Sequence, residues 1–325
     1  MIEAALREVD ASMRRLALGA RPERCGEMAV EHLGTGGRRL RARLALGVAD
    51  AFGADPEAAV GWATAVELLH NATLVHDDLQ DGDPLRRNRP AVWAQHGAAQ
   101  AINVGDLLLM LPFAAIGALS VPASVRVRLF TALTDRAIGV VRGQTADLDL
   151  TLDRVVDWEA WAAVAEQKTA GLFVLPIEGA AILGGLELDA AAAVASTAHP
   201  LGVLYQAVDD VVDLFGDKGR GSPGRDVCDG KVTALVVEHL ARRPEDRARL
   251  VALRGVATPA DIEGVARDFR DSGALAAVRG RVAALTARVV ESDRLALYPN
   301  LRATLFVAME QALAPLAAIP DARPT

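Results

Sequence analysis

Aromatic side chains are scarce in this chain, at 4% of 325 residues. Sheets draw on alternating aromatic and β-branched residues, so a fold organised by strands is not expected. Cysteine is nearly missing. Cys25 and Cys228 stand far apart and outside any CxxC pattern, which excludes a disulfide framework and fits a reducing compartment. A basic excess is lacking too. The formal net charge is -7, which argues against general nucleic-acid binding. There is no internal repeat, low-complexity tract or long Pro/Ser linker. The first residues, MIEAALREVDASMRRL, lack the basic start and unbroken apolar core of a signal peptide. The most apolar stretch, Val104 to Leu119, is interrupted by Asp106 and Pro112, so no membrane span is expected. These absences predict a cytoplasmic protein.

What is present favours helices. Abundant alanine, leucine and arginine supply good helix formers. Segments at Ala58 to Asp81, Ser124 to Asp147, Trp158 to Leu183 and Ala190 to Asp213 run for several turns with few breakers. Gly/Pro-punctuated joints lie at Gly34 to Gly37, Gly82 to Pro90, Gly184 to Leu188 and Gly216 to Gly230. The reading is one all-α domain over residues 1–325.

Two acidic clusters stand out. The first, His76-Asp77-Asp78-Leu79-Gln80-Asp81, ends an apolar helical run. At about 100° per residue, Asp77 and Asp81 share a face and Asp78 flanks it. The second, Asp209-Asp210-Val211-Val212-Asp213, repeats the spacing. Like charges four apart destabilise a helix unless neutralised. Hard divalent cations such as magnesium do this through carboxylate oxygens. One such cluster is more often a solvated helix end; two, each in an apolar helix and each followed by a basic, glycine-containing loop, point to chemistry.

Cations accompany the acids. Asp83-Pro84-Leu85-Arg86-Arg87-Asn88-Arg89-Pro90 follows the first cluster, and Gly36-Gly37-Arg38-Arg39-Leu40-Arg41 precedes it. Arginine forks match phosphate oxygens, and glycines let backbone approach an anion. Lys168 in Gln167-Lys168-Thr169 and Lys231 in Gly230-Lys231-Val232-Thr233 are further candidates. Any one of them alone would be an ordinary surface cation, which remains the reading for Arg89.

With these motifs in order, the chain resembles the trans-prenyl diphosphate synthase (polyprenyl synthetase) family from about Gly36 to Thr233, geranylgeranyl diphosphate synthases in particular. The resemblance implies an antiparallel helical bundle of the isoprenoid synthase type around a deep cavity, in a homodimer. It implies that Asp77, Asp78, Asp81, Asp209, Asp210 and Asp213 hold magnesium, three ions with bound diphosphate. Arg86, Lys168 and Lys231 would grip the allylic diphosphate. Arg38, Arg41, His70 and Arg87 would bind isopentenyl diphosphate, supported by Arg39. Thr169 and Gln206 would point polar groups at the reacting carbons. Ala72 and Thr73, one turn before Asp77, would leave room for a C20 product, with Leu68, Leu69, Met110 and Ile138 as deeper stoppers or plain core.

The chain departs from the family at several places. Arg38 replaces a usual lysine, Ala42 a proline and Asn88 a glycine. Ser222 stands where a lysine is usual, with Lys218, Arg220 or Arg225 near enough in sequence to replace its charge. A class I terpene cyclase and a prenyltransferase with a non-isopentenyl acceptor are the competing readings. A cyclase normally pairs one aspartate-rich motif with an Asn/Ser/Glu motif, which Asp209 to Asp213 does not match. A non-catalytic partner subunit would tend to lose an acidic motif, and both are intact.

Overall fold

The computed structural model describes residues 2–218 and 223–320. In chain order the helices begin with α1 (Ile2–Leu18), α2 (Arg24–Leu33), α3 (Leu40–Ala51) and α4 (Pro56–Gln80). A hairpin of β1 (Leu85–Arg86) and β2 (Arg89–Pro90) precedes α5 (Val92–His96), α6 (Ala98–Gly117) and α7 (Ala123–Asp149). Next come α8 (Trp158–Ala165), a π-helix (Glu166–Ala170), α9 (Gly171–Leu183), α10 (Leu188–Ala195) and α11 (His199–Phe215). The remainder is α12 (Arg225–Cys228), α13 (Ala234–Leu240), α14 (Arg247–Ala252), α15 (Pro259–Asp271), α16 (Ala274–Val290), α17 (Asp293–Ala296) and α18 (Pro299–Ala317). The fold is all-α, as the composition implied.

Two compact units emerge. The first comprises Met1–Ile138, Leu172–Thr197 and Asp293–Ala308; the second comprises Gly139–Gly171, Ala198–Ser292 and Met309–Thr325.

In the first unit α4 is the central element. Asp55 caps it, accepting from the Ala58 amide, and Pro56 opens its first turn. Its Trp62 is fully buried and donates its indole N–H to the Pro176 carbonyl of α9 (3.1 Å). Gly179 of α9 leaves the space which the Trp62 ring fills; a Cβ there would lie 2.1 Å from it. Helix α6 runs unbroken through Asp106 and Pro112, contrary to the broken stretch expected from sequence. Proline forfeits one backbone donor, a loss of about 3 kcal/mol in isolation, and burial of α6 against α4 outweighs it. By length and composition α6 alone among the described helices could cross a membrane, yet 39% of its apolar window is already buried within the chain.

In the second unit, α11 packs against α16, α13 and the π-helix. Buried His239 of α13 lies 2.9 Å from both Ser272 Oγ and Asp246 Oδ2, tying α13 to the end of α15 and the turn before α14. Cys25 and Cys228 are both free thiols.

Candidate active site

The first unit places Asp77, Asp78 and Asp81 at the C-terminal end of α4. Their roles separate by face. Asp78 is turned inward, 1% exposed, and its Oδ1 accepts from Arg86 Nε (2.9 Å) and, more closely, from Arg86 Nη2. Asp77 and Asp81 are half-buried. The loop foreseen after the cluster is a hairpin, with Leu85 paired to Pro90 and Arg86 to Arg89. Its two-residue turn, Arg87-Asn88, is left-handed at both positions (φ 53 and 60), the geometry of a tight hairpin turn. Asparagine tolerates that region better than most residues, which accounts for Asn88 in place of glycine.

The hairpin carries Arg87 back onto the glycine turn. Arg87 Nη1 donates to the Gly36 carbonyl, and a Cβ on Gly37 would lie 2.6 Å from the guanidinium carbon. Gly37 has φ 122, so it serves both a backbone conformation and a close approach. The two basic motifs, separate in sequence, are therefore one cluster. Arg39 is a clamp within it, bonded to Asp10 (2.9 Å) and the Leu33 carbonyl (3.0 Å) and 3.9 Å from buried Glu67. Arg41 is buried, lies 5.0 Å from the Phe173 ring centroid, and meets His70 Nε2 at 3.1 Å. Arg38 is exposed.

Burial first, and then Arg41, Arg87, Arg86 and Arg39, hold the His70 imidazole well below its usual range, so it is neutral and accepts the Arg41 N–H. Buried His32, on α2, is pushed down to about 3 by burial and by Arg86, Arg87 and Arg39. Sequence reading overlooked His32, because a lone histidine on a mixed helix carries no local signal. Four guanidiniums thus act on two neutral imidazoles, two of them already paired with carboxylates: Arg86 with Asp78 and Arg39 with Asp10.

Ala72 is fully buried, and Thr73 is half-buried with its hydroxyl returned to the His70 carbonyl (2.8 Å). Leu68 and Leu69 are core. Met110 and Ile138 are exposed, so within this chain neither is core. Gly105, in Asn103-Val104-Gly105-Asp106, lies where a Cβ would be 2.1 Å from His76, whose Nε2 is 3.6 Å from Asp106.

In the second unit two of the three acids are buried, Asp210 and Asp213, each 5% exposed. Asp210 is turned inward, its Oδ1 accepting from Gln206 Nε2 (3.0 Å) and its Oδ2 from the Ala234 amide at the start of α13 (2.7 Å). Gln206 in turn accepts the Thr169 hydroxyl proton (3.0 Å), linking the π-helix to the acidic cluster. Burial first, then Asp226, raises the Asp210 carboxyl to about 8 and that of Asp213 to about 6. Asp213 Oδ2 also accepts the Asp226 amide (3.0 Å), anchoring the returning loop.

Gly143 and Gly202 flank the π-helix. A Cβ on Gly143 would lie 2.3 Å from the Lys168 nitrogen, and one on Gly202 would lie 2.2 Å from the Ala170 Cα. Such widened turns recur where function displaces the regular ladder. Lys168 reaches Asp147 (2.6 Å), and Lys231 lies 3.5 Å from Asp226 Oδ1. Asp147 and Asp226 were not singled out from sequence, since neither belongs to a DxxxD pattern. Lys218 lies among Asp209 (2.8 Å), Asp213 (3.6 Å) and Asp226 (3.5 Å), whereas Arg225 pairs with Asp229 (3.5 Å). Arg220 and Ser222 lie outside the described residues.

The polyprenyl synthetase family model matches residues 22–269. The chain belongs to that family. Among curated relatives of this polyprenyl synthetase, the short chain isoprenyl diphosphate synthase of Methanothermobacter thermautotrophicus is 36% identical over 231 residues, 70% of this chain and 71% of that one. The geranylgeranyl diphosphate synthase of Methanosarcina mazei is 30% identical over 273 residues, 82% of each. Among solved structures, a polyprenyl synthase from Caulobacter crescentus, complexed with calcium and isoprenyl diphosphate, matches with a TM-score of 0.86 at 26% identity. That match covers 96% of this chain and 95% of that one.

A family that uses a divalent cation finds suitable donors here, because both clusters offer only hard carboxylate oxygens. The second already holds a cationic stand-in, the Lys218 ammonium. Among the described residues no three His, Cys, Asp or Glu side chains form a ready-made metal site.

Proposed function

We propose that this polyprenyl synthetase condenses isopentenyl diphosphate with allylic diphosphates, giving geranylgeranyl diphosphate. One observation carries the reading: two DDxxD clusters, each with its middle aspartate buried and each followed in sequence by a basic segment. Relatives named for geranylgeranyl diphosphate synthesis support the product class. We take residues 1–325 to work as one catalytic domain, since the family match spans 22–269.

In this reading Asp77, Asp81, Asp209 and Asp213 are the principal magnesium ligands, with Asp78 and Asp210 supporting them. Magnesium, when bound, neutralises the allylic diphosphate and eases its departure. Arg86, Lys168 and Lys231 add cationic charge to that leaving group, which is electrostatic stabilisation where charge develops. Arg38, Arg41, Arg87 and neutral His70 bind the second diphosphate, with Arg39 fixing the turn that presents them. Thr169 and Gln206 direct oxygen dipoles toward the allylic cation, and apolar walls keep water from it. The departed diphosphate can take the final proton, so no protein base is assigned.

Helix α7 supports the homodimer expectation: exposed Val127, Ile138, Val141 and Leu148 fall on one face, within an arc of about 80°. Sedimentation at micromolar concentration tests it, and a monomer there would refute it.

The deciding experiment for the activity is mass analysis of products from purified protein, magnesium, isopentenyl diphosphate and each of the C5, C10 and C15 allylic diphosphates. A C20 diphosphate is expected. Allylic substrate consumed to hydrocarbon or alcohol without elongation would overturn the reading in favour of a cyclase.

A further inference from the structure

Of the 35 basic side chains, lysine occurs at three positions only: Lys168, Lys218 and Lys231. The chain otherwise uses arginine, so a lysine marks a place where a compact ammonium suits and a flat guanidinium does not. Each of the three meets a carboxylate in the second unit. Lys218 differs from the other two. Its side chain is 9% exposed, and its Nζ lies within 3.6 Å of Asp209, Asp213 and Asp226 together.

An ammonium carries three donors about one point charge. Three carboxylates from different parts of the chain, two on α11 and one at the start of α12, surround it. That is the contact pattern of a small cation bound by acidic oxygens. It also explains why acids held this close coexist, since like charges in a buried cluster cannot persist without a counter-charge.

We propose that Lys218 is a built-in counterion: it occupies the second acidic cluster while no metal is bound, and yields Asp209 and Asp213 to a divalent cation on loading. This rests on the reading of those aspartates as metal ligands, and adds that metal binding is a competition with the protein's own ammonium. In the free state it keeps α11 and α12 together; in the loaded state its charge is released for other use.

The test compares Lys218→Met with Arg89→Met, which removes one exposed charge elsewhere. Manganese binding is measured directly by electron paramagnetic resonance on metal-free protein, alongside thermal unfolding with and without metal. Lys218→Met is expected to bind manganese at least about tenfold more tightly, equivalent to about 1.4 kcal/mol. It is also expected to melt lower when metal-free and to regain that loss on loading, with Arg89→Met unchanged in both. Equal or weaker manganese binding by Lys218→Met overturns the proposal.

Wild-type protein supplies a second measurement should that variant fail to fold. With three lysines, brief acetylation read by peptide mass spectrometry resolves each. Lys218 is expected to react slowly in metal-free protein and several-fold faster with magnesium alone; an unchanged Lys218 rate refutes displacement. Elongation activity separates the two ideas. Wild type that makes prenyl diphosphate, with no tightening in Lys218→Met, leaves the function standing and this inference fallen; tightening without elongation does the reverse.

Discussion

Replacing Arg86 with methionine keeps the stem and removes the charge that faces Asp78. Asp78 is 1% exposed and Arg86 is itself buried, so bulk water cannot take over the role. Both contacts from the guanidinium fall on a single oxygen, Asp78 Oδ1. Removing one partner of such a buried pair typically costs 3–5 kcal/mol, because the other charge is left uncompensated. Asp78 has further interactions, which puts the expected loss for Arg86→Met at the lower end, about 3 kcal/mol. Asp78→Asn should cost a similar amount by stranding the cation. The Asp78→Asn/Arg86→Met double variant should lie within about 1–2 kcal/mol of wild type, because a neutral pair of similar volume demands no counter-charge. Urea unfolding followed by circular dichroism yields all three values. A single-variant loss below about 1 kcal/mol, or a double variant equal to the sum of the singles, would refute the claim that this ion pair fixes the end of α4.

Three further outcomes are expected. Gly202→Leu should lower turnover at least tenfold while leaving the first unit's fold intact, because its Cβ would meet the Ala170 Cα and displace Thr169 and Lys168; unchanged kcat would count against the π-helix as a positioning element. Buried neutral His32 should lose about 2 kcal/mol of its contribution to stability as pH drops from 7 to 5, while the raised carboxyls of Asp210 and Asp213 act in the opposite direction. The folded His32 value is depressed to about 3 and that of His70 is also lowered, so the unfolded chain takes up protons first, near its ordinary value of about 6.5. Their stabilisation is complete above that pH and is lost on acidification; by urea midpoints, His32→Gln should lose less stability than wild type, or gain more, between pH 7 and pH 5. Ala72→Phe should shift the product from C20 toward C15 by mass analysis, and an unchanged distribution would remove Ala72 from the chain-length determinants.

The sequence alone determined the helical class and the two acidic clusters. Helix formation rests on local propensity and on a periodicity that spans a few turns, so Ala58 to Asp81 could be read before any contact was known. The spacing of Asp77, Asp78 and Asp81, repeated at Asp209, Asp210 and Asp213, likewise belongs to one stretch of chain. The tertiary structure decided which acids turn inward, because burial depends on what lies against the helix. Asp78 faces the returning hairpin and Asp210 the amide that opens α13, and neither contact is written in the local spacing. It also joined Arg87 to the Gly36-Gly37 turn across some fifty residues, and left Met110 and Ile138 exposed where an apolar pattern suggested core. The fate of Lys218 was decided the same way. A lysine in a loop has no preferred partner until Asp209, Asp213 and Asp226 are brought around it, and folding chooses that partner by solvation and distance rather than by order along the chain.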